Sequence, residues 1–244
     1  MGDDVPVAGW NQELPPAACA AIIPSRGRPG AAEALLDLAG HTSVCTELVF
    51  CLDGDDPALN GYKHLMTRPF FSRQRVSWYV GPRRSLTGWT NRIARQLAPG
   101  TRMLFSLGDD HRPQTQGWDR KLLEAAEAMG GGWAYGDDGL QHENLPTAFG
   151  VSSRIVEALG WMLLESCAHM FVDAAARDLA EKCGRRAYLP QVKISHLHYT
   201  SGLSPLDQVY IDGYASWAAD EAAYRAWLAG PIRDDAEKVR AACR

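Results

Sequence analysis

Two adjacent aspartates, Asp109 and Asp110, directly follow an apolar stretch of the sequence and precede His111. Paired carboxylates at the end of a strand suit a hard divalent cation, which takes oxygen ligands and often shares them with substrate phosphates. Mg²⁺ and Mn²⁺ both fit such oxygens, and Mn²⁺ also accepts imidazole. Turns and helix N-termini use the same residue types, so the pair alone leaves a structural role open.

Two histidines late in the sequence are further metal-ligand candidates. His196 and His198 fall on the same side of a predicted strand because successive side chains of a strand alternate between its faces. One of them would complete a metal site with Asp110. Hydrogen bonding of both rings to backbone is the structural alternative.

Positive charge is concentrated in one segment of the chain. Residues 57–108 contain nine basic and no acidic side chains, whereas the whole chain has a net charge of −4. The basic residues are Lys63, Arg68, Arg73, Arg75, Arg83, Arg84, Arg92, Arg95 and Arg102. This pattern indicates an anionic ligand such as a diphosphate or a nucleic-acid backbone. A solvated face whose charges pair with acidic residues elsewhere is the alternative.

The elements that must position these residues alternate between strand and helix patterns. Buried strands are predicted at 18–23, 47–52, 76–80 and 103–107, with helices at 30–38, 57–66 and 86–97 between them. Further strands are predicted at 133–135, 145–151 and 191–198, and further helices at 118–129, 154–159, 173–183 and 213–228. We therefore expect an α/β fold, with a mixed, mainly parallel sheet flanked by helices and a helical C-terminal tail.

Ligands of such sheets bind beside the carboxyl ends of the strands, and each predicted strand end is polar. The residues concerned are 25–28, 53–56, 81–84 and 108–111. The sequence lacks a Walker-type phosphate loop, a dinucleotide-binding glycine motif and a nucleophile elbow. Its six cysteines form no CxxC pair, which argues against a zinc knuckle or a thioredoxin-type site.

The composition is that of a globular protein, with 46% hydrophobic and 22% charged residues in a chain of 244. It excludes a disordered tail, a collagen-like chain and a coiled coil. No run of apolar residues is long enough to span a membrane, and no secretory signal is visible at the acidic start. A cytoplasmic protein is expected.

In combination, these motifs resemble the nucleotide-sugar glycosyltransferases with a GT-A fold, near the large inverting family 2. Residues 21–29, AIIPSRGRP, are similar to that family's first strand and the turn after it. Residues 50–54, FCLDG, resemble its second strand, and residues 104–110, LFSLGDD, occupy the place of its metal-binding DxD signature. The signature here reads Asp-Asp-His, which leaves open whether Asp109, Asp110 or His111 is the direct ligand; Asp110 is favoured.

The resemblance implies a set of site residues. Donor nucleotide binding is implied for Pro24, Ser25, Arg26, Arg28, Asp53, Arg84, Asn91 and Asp109. Asp110 and His198, with His196 as second choice, would hold Mn²⁺ or Mg²⁺. Asp173, before a predicted helix, is similar in position to the family's catalytic base, and an N-cap role is its structural alternative. One domain, 1–244, is expected, with a nucleotide-binding half at 18–113, an acceptor half at 114–200 and a helical tail at 204–244.

The implied activity is metal-dependent transfer of a sugar from a UDP- or GDP-sugar to a hydroxyl acceptor, with inversion. The acceptor is open. Basic residues interleaved with Phe70, Phe71, Trp78, Tyr79 and Trp89 are typical of nucleic-acid channels, which suggests a hydroxylated base in DNA. The competing interpretation assigns these rings to the core and the arginines to the donor diphosphate. A metal-dependent phosphoester hydrolase and a non-catalytic nucleotide- or nucleic-acid-binding module are the alternative functions.

Overall fold

The computed structural model describes residues 5–9, 17–67 and 75–244 of the chain. Its first half is built from βαβ units around three parallel pairings. The strands are β1 (Val5–Gly9), β2 (Cys19–Ser25), β3 (Thr46–Asp53), β4 (Arg75–Gly81) and β5 (Met103–Ser106). The helices are α1 (Pro29–Thr42), α2 (Leu59–Met66) and α3 (Leu86–Leu97). β2 pairs in parallel with both β3 and β5, β3 pairs in parallel with β4, and β1 adds an antiparallel edge.

The second half continues the same sheet with mixed pairing. Its strands are β6 (His111–Pro113), β7 (Trp133–Asp137), β8 (Phe149–Ser152) and β9 (Arg186–His196). Its helices are α4 (Trp118–Ala128), α5 (Ser153–Leu159), α6 (Val172–Cys183), α7 (Gln208–Ala215), α8 (Trp217–Ala229) and α9 (Ile232–Ala242). The strand order is β1-β4-β3-β2-β5-β8-β7-β9-β6.

Apolar side chains pack on both faces of the sheet because the buried strands alternate their side chains between two cores. Along β2, Ile22 contributes to the core that contains α3, α5, α6 and α9. Its neighbour Ile23 contributes to the core that contains α1, α2 and α4. The mixed, mainly parallel sheet with helices on both faces that the sequence predicts is confirmed.

Several predicted boundaries need correction. The strand predicted at 145–151 begins only at Phe149, and the strand predicted at 191–198 begins at Arg186 and ends at His196. The segment predicted as one helix, 213–228, contains the end of α7 and most of α8, which are separated at Ser216, and α9 follows after Gly230. The short strands β1 and β6 were not predicted, since neither has enough residues to show an alternating pattern.

The turn after β2 is shaped by its own sequence. Gly27 has a φ of 70°, a conformation that is costly for residues with a Cβ. Its backbone N–H donates to the Asp56 carboxylate at 2.8 Å, and Pro29 starts α1 with the backbone angle that a helix requires. The turn therefore presents Arg26 and Arg28 at the carboxyl edge of the sheet.

Candidate active site

A cleft of about 1030 Å³ opens at the carboxyl ends of β2 to β5. The sequence-predicted residues that line it are Pro24, Ser25, Arg26, Arg28, Asp53, Arg84, Asp109, Asp110, Asp173 and His198. The C-terminal tail closes one side of the cleft through residues of α7. The fold thus brings together residues that are up to about 190 positions apart in the sequence, as expected at the carboxyl edge of a doubly wound sheet.

Asp109 lies at the buried base of the cleft. Its carboxylate accepts a hydrogen bond from the Ser25 hydroxyl at 2.5 Å, and an Arg28 guanidinium nitrogen lies 3.3 Å away. Burial and the neighbouring Asp110 carboxylate raise the pKa of Asp109 to about 6, against the opposing effect of Arg28 and Ser25. Asp109 is therefore a structural anchor of the Arg28 side chain within the cleft.

Asp110 faces a ring of polar groups. Its Oδ2 atom lies 3.5 Å from His196 Nε2 and 3.6 Å from an Arg28 nitrogen, and it accepts a hydrogen bond from the Tyr210 hydroxyl at 2.9 Å. Burial alone would raise the pKa of Asp110. The hydrogen bonds from His196 and from the Tyr210 hydroxyl outweigh burial and hold this pKa below its usual range. Asp110 is thus an ionised ligand group at neutral pH.

His111 and His196 are direct cross-strand partners in the antiparallel pairing of β6 with β9. Their rings stack with centroids 4.3 Å apart and an interplanar angle of 21°. The Nδ1 atom of His111 accepts a hydrogen bond from the Gly108 backbone N–H at 2.8 Å. Burial, followed by the neighbouring His196, lowers the pKa of His111 to about 3, so its ring is neutral at physiological pH.

These three side chains fit a divalent metal. One ligand atom from each of Asp110, His111 and His196 can be chosen so that all lie within 4.8 Å of one another. The buried Nε2 of His111 and Nδ1 of His196 have no hydrogen-bond partner among the described residues. Buried polar atoms without partners are costly in a native fold, and a ligand is one way to compensate them. Carboxylate oxygens suit both Mn²⁺ and Mg²⁺, and imidazole nitrogens also suit Mn²⁺.

His198, the first-choice metal ligand of the sequence analysis, lies in the cleft but outside this cluster of ligand atoms. β9 ends at His196, so the alternation that put both histidines on one side of a strand does not extend to His198. Instead His198 precedes a short 3₁₀ helix, and its Nδ1 atom lies 2.7 Å from the Thr200 hydroxyl. His196 is thus within 3.5 Å of the Asp110 carboxylate, and the His198 ring lies beside the His196 ring, with centroids 5.1 Å apart.

Asp53 organises the donor side of the cleft from the end of β3. Its Oδ1 atom accepts hydrogen bonds from the Trp89 indole at 2.7 Å and from the Arg84 backbone N–H at 3.0 Å. Its Oδ2 atom lies 3.0 Å from an Arg26 nitrogen. Asp53 thereby fixes two arginine-bearing segments at the carboxyl edge of the sheet.

Asn91 is the predicted donor residue that the structure does not bring to the cleft. It is buried in α3, where its side-chain oxygen accepts hydrogen bonds from the backbone N–H groups of Met162 and Leu163, each at 2.8 Å. Its amide nitrogen donates to the Leu163 carbonyl at 2.7 Å. All these bonds link α3 to the loop after α5, so Asn91 has a structural role.

Asp173 lines the cleft at the second residue of α6. The helix is preceded by Phe171, which has a φ of 64° and gives no side-chain cap, so Asp173 is not the N-cap of α6. One carboxylate oxygen accepts a hydrogen bond from the Ala174 backbone N–H at 2.8 Å. Burial raises the pKa of Asp173 above the usual aspartate value, which brings it closer to that of a useful general base.

The loop before Asp173 is held by the tail. The buried carboxylate of Asp220, in α8, accepts hydrogen bonds from the backbone N–H groups of Ala168, His169 and Met170 at 2.7 to 2.9 Å. His169 lines the cleft, and a Cβ added at Gly213 would lie 3.0 Å from its Nε2 atom. Asp220 therefore positions the cleft wall that leads into Asp173.

Sequence reasoning missed the contribution of α7. Asp207, the N-cap of α7, accepts hydrogen bonds from Arg28 at 2.6 and 2.7 Å, and the Tyr210 ring lies under the same guanidinium at 4.2 Å. These contacts join positions about 180 residues apart, and no local pattern signals them. The sequence predicts a helical tail but not its contacts with Arg28 and Asp110.

The aromatic residues of the basic segment are core residues in the part of it that the structure describes. Trp78 stacks on Phe50 at 4.5 Å, and Trp78, Tyr79 and Trp89 are all buried. They are therefore unable to stack with nucleic-acid bases in this conformation, in agreement with the interpretation that assigns these three rings to the core. Phe70 and Phe71 lie outside the described residues.

Acidic side chains elsewhere in the chain form ion pairs with three arginines of the basic segment, residues 57–108. Arg83 pairs with Asp212, Arg95 with Glu165 and Arg102 with Glu127. Arg84 is instead held in the cleft over the Trp89 ring at 5.3 Å. Arg68 and Arg73 lie outside the described residues. The segment thus divides between surface ion pairs and the cleft.

No protein-family model matches the sequence, and no curated protein matches it significantly. Solved structures do share the fold. A mannosyltransferase from Pyrobaculum calidifontis, solved in complex with GDP-Man and Mn²⁺, is 12% identical with a TM-score of 0.58, covering 91% of this chain and 80% of its own. TarS 1–349 from S. aureus, in complex with UDP-GlcNAc, is 11% identical with a TM-score of 0.54, over 72% of this chain.

This chain spans only 57% of the TarS fragment. A third structure, 4-diphosphocytidyl-2C-methyl-D-erythritol synthase from Anaerococcus prevotii, is 10% identical with a TM-score of 0.52, over 73% of this chain and 88% of its own. At these identities the likeness shows the fold alone, and one fold hosts more than one chemistry. The GT-A fold predicted from the sequence is therefore confirmed.

Among the described residues, no helix combines the length and apolar character needed to cross a membrane.

Proposed function

We propose that this chain is a metal-dependent glycosyltransferase that moves a sugar from a UDP- or GDP-sugar to a hydroxyl acceptor with inversion. The observation that carries the proposal is the meeting of Arg28 with the Asp110–His196 pair at the carboxyl edge of the sheet. A guanidinium and a carboxylate–imidazole cluster on one wall are the groups that a sugar diphosphate and its metal require. The solved GT-A structures with GDP-Man and UDP-GlcNAc support a nucleotide-sugar donor.

The donor would lie along the ends of β2, β3 and β4. Its contacts would come from Pro24, Ser25, Arg26, Arg28, Asp53, Arg84 and Asp109. Arginine forks bind phosphate oxygens with two parallel hydrogen bonds, which fixes the position of the diphosphate as well as its charge. Asp53, at the far end from Asp110, would face the nucleotide base.

Asp110 and His196, with His111 behind them, would hold Mn²⁺ or Mg²⁺. When bound, a divalent ion neutralises negative charge on the departing nucleoside diphosphate. Arg28 supplies a second positive charge on the same wall, 3.6 Å from the Asp110 carboxylate. Fixed charges aimed at the leaving group are among the largest contributions to catalysis in transfer reactions.

Asp173 is the proposed general base. Its carboxylate would accept the proton of the acceptor hydroxyl while that oxygen bonds to the anomeric carbon and the bond from this carbon to the diphosphate breaks. Its raised pKa supports this role, because a base works best when its pKa approaches the working pH. General-base assistance contributes about 10²–10⁴-fold to the rate.

A thermal-shift titration tests the donor and metal sites together. UDP- and GDP-sugars are added with and without Mn²⁺ to the wild type, to Asp110→Ala and to Asp234→Ala, a control aspartate exposed on α9. We expect one nucleotide sugar to stabilise the wild type and the control only with Mn²⁺, and to leave Asp110→Ala unchanged. Absence of stabilisation by every donor would refute the proposal.

Product analysis separates the alternatives. A transferase yields a free nucleoside diphosphate together with a glycosylated acceptor, whereas a phosphoester hydrolase using Asp109 and Asp110 releases phosphate. A non-catalytic binding module would show donor binding that Asp173→Asn leaves intact and no product at all. The predicted DNA acceptor stays a prediction, and the buried rings of the basic segment lend it no support.

A further inference from the structure

Two cysteines meet at the amino-terminal end of the parallel sheet. Cys19 is the first residue of β2, and Cys45 lies directly before β3. Their sulfur atoms are 4.0 Å apart, although the residues are 26 positions apart in the sequence. The sulfur atoms of Cys51, Cys167 and Cys183 instead contact backbone carbonyl oxygens. We call Cys19 and Cys45 the β2–β3 thiol pair.

The backbone around this pair has the spacing that a disulfide requires. The Cys19 backbone N–H donates to the Cys45 carbonyl at 3.1 Å. Hydrogen-bonded residues of neighbouring strands have Cα atoms about 5–6 Å apart, within the roughly 4.4–6.8 Å that disulfides span. Both side chains pack in the same apolar core, the one that contains α1, α2 and α4. Rotation of the two side chains can therefore bring the sulfur atoms to the bonding distance of about 2 Å.

The Asp119 carboxylate, in α4, holds the segment that carries Cys45. It accepts hydrogen bonds from the Ser43 hydroxyl at 2.8 Å and from the backbone N–H groups of Val44 and Cys45 at 3.0 and 2.8 Å. Asp119 is itself buried. Because one buried carboxylate binds three consecutive residues, Cys45 is fixed opposite Cys19. The fold thus presents the two thiols to each other before any bond forms between them.

The two thiols differ in their access to solvent. Cys19 is fully buried, whereas Cys45 is partly exposed. The hydrogen bond with Cys45, together with burial, raises the pKa of the Cys19 thiol. Since the attacking species in thiol–disulfide exchange is the thiolate, an oxidant from solution reacts first with Cys45. Cys19 keeps its proton until a leaving group is attached to the Cys45 sulfur beside it.

We propose that the β2–β3 thiol pair is a reversible oxidation site, at which a small-molecule disulfide of the glutathione class converts Cys19 and Cys45 into a disulfide. The Cys45 sulfur attacks one sulfur of the oxidant, whose S–S bond breaks, and one glutathione leaves. The Cys19 sulfur then attacks the Cys45 sulfur, and the second glutathione leaves. Two protein thiols are thus oxidised, and the oxidant is reduced to two thiols, which take up the two protein protons.

This oxidation site is separate from the cleft. Cys19 lies at the amino end of β2, and neither cysteine is among the residues that line the cleft. A Cys19–Cys45 bond would enclose β2, the turn of residues 25–28 and α1. Such a bond stabilises a fold by restricting the unfolded chain. The inference does not depend on the proposed function, and its test needs no donor.

Thiol counting and peptide mapping test the site. The full chain is incubated with oxidised and reduced glutathione, quenched with an alkylating agent and digested without reductant. We expect a peptide that links Cys19 to Cys45 and the loss of two of the six thiols, which dithiothreitol restores. A wild type that keeps all six thiols, that carries glutathione on Cys45 without the link, or that links other cysteines instead overturns the proposal.

Single variants separate the two steps. Cys19→Ala should stop at the mixed disulfide, with one glutathione on Cys45. Cys45→Ala should leave Cys19 unmodified, because the oxidant does not reach this buried thiol. Cys183→Ala is the matched control, since Cys183 is also partly exposed but its sulfur contacts the Ala236 carbonyl. The control should form the same link as the wild type. Glutathione on Cys19 in the Cys45→Ala variant would contradict the proposed order.

Thermal unfolding gives a second readout. The oxidised wild type and Cys183→Ala should unfold about 5–15 °C above their reduced forms, the rise expected for a link across 26 positions in a chain of 244 residues. Cys19→Ala and Cys45→Ala should show no such rise. Unfolding of each variant under reducing conditions verifies its fold. An equal rise in Cys45→Ala would overturn the proposal, because another bond would then be responsible.

Discussion

The Asp207 carboxylate holds the Arg28 guanidinium through two hydrogen bonds, at 2.6 and 2.7 Å. The same arginine lies 3.3 Å from Asp109 and 3.6 Å from Asp110. Burial would lower the pKa of Arg28, but Asp207 and Asp109 outweigh it and keep the group charged. One cation is thus shared among three carboxylates, and a diphosphate would have to compete with Asp207 for it.

Asp207→Asn should therefore tighten binding of UDP or GDP. Removing the competing charge leaves the guanidinium in place against Asp109 while freeing its fork for phosphate oxygens. A partly exposed ion pair is worth up to about 1 kcal/mol, which corresponds to roughly fivefold in affinity. Calorimetric titration with the nucleoside diphosphate measures the change. Glu221→Gln, which removes a carboxylate paired with Arg225 on α8, is the control. Weaker binding by Asp207→Asn would show that Asp207 orients Arg28 instead of competing for it.

His196→Ala should weaken Mn²⁺ binding by roughly 10–100-fold or more, the range seen when even outer groups of a metal site are removed. His198→Ala should leave Mn²⁺ affinity about unchanged, because His198 lies outside the cluster around Asp110. Titration with Mn²⁺ followed by electron paramagnetic resonance measures free and bound ion without any donor. The reverse ranking of the two variants would restore His198 as the ligand.

Asp173→Asn should lower kcat by about 10²–10⁴-fold with little change in donor affinity, because the amide does not accept the acceptor proton. The base works only when ionised, so wild-type kcat/KM should fall as the pH drops through the Asp173 pKa. Since burial raises that pKa, the acid limb should lie above the ordinary aspartate value. Asp178→Asn, on the same helix but outside the cleft lining, is the control. A wild-type rate in Asp173→Asn would exclude the residue as base.

Asp220→Asn should destabilise the fold by about 2–3 kcal/mol near neutral pH, because three backbone N–H groups and the Ser216 hydroxyl donate to this carboxylate. Burial would raise the pKa of Asp220, but these donors lower it below the ordinary value. A group with a depressed folded-state pKa stabilises the fold above its unfolded pKa and loses that contribution as the pH falls through the folded value. Urea unfolding of the wild type and of Asp220→Asn should therefore show a difference in the free energy of unfolding that becomes smaller as the pH falls. A difference that does not depend on pH would mean that the charge of Asp220 is not the cause of the destabilisation.

The carboxyl-edge site could be predicted because its parts are local in sequence. Each strand from β2 to β5 is a short buried run that ends in polar residues, and parallel strands bring such ends to one edge. That logic placed Arg28, Asp53 and Asp110 together without any knowledge of contacts. It failed for Asn91, where a position on an amphipathic helix does not tell which polar side chain turns inward to the backbone of another loop.

The different positions of His196 and His198 depend on where β9 ends and on which strand pairs with it. β6 has only three residues, too few for a pattern, yet its pairing with β9 puts His196 directly opposite His111. The contacts of Asp207 with Arg28 and of Tyr210 with Asp110 could not be predicted from the sequence for another reason. They depend on how the tail crosses the cleft, which is decided by tertiary packing and not by local propensity.

Because His111 and His196 lie directly opposite each other, contact between their rings reports the register of β6 against β9. Side chains alternate along a strand, so a slip of one residue between β6 and β9 would send one ring to the opposite face of the sheet. If β6 slips while β9 keeps its place, the chain keeps its helices and both apolar cores and loses the stacked pair. Contact between these two rings, measured by NMR during refolding, would therefore distinguish the native register of β6 and β9 from a compact form with a shifted register.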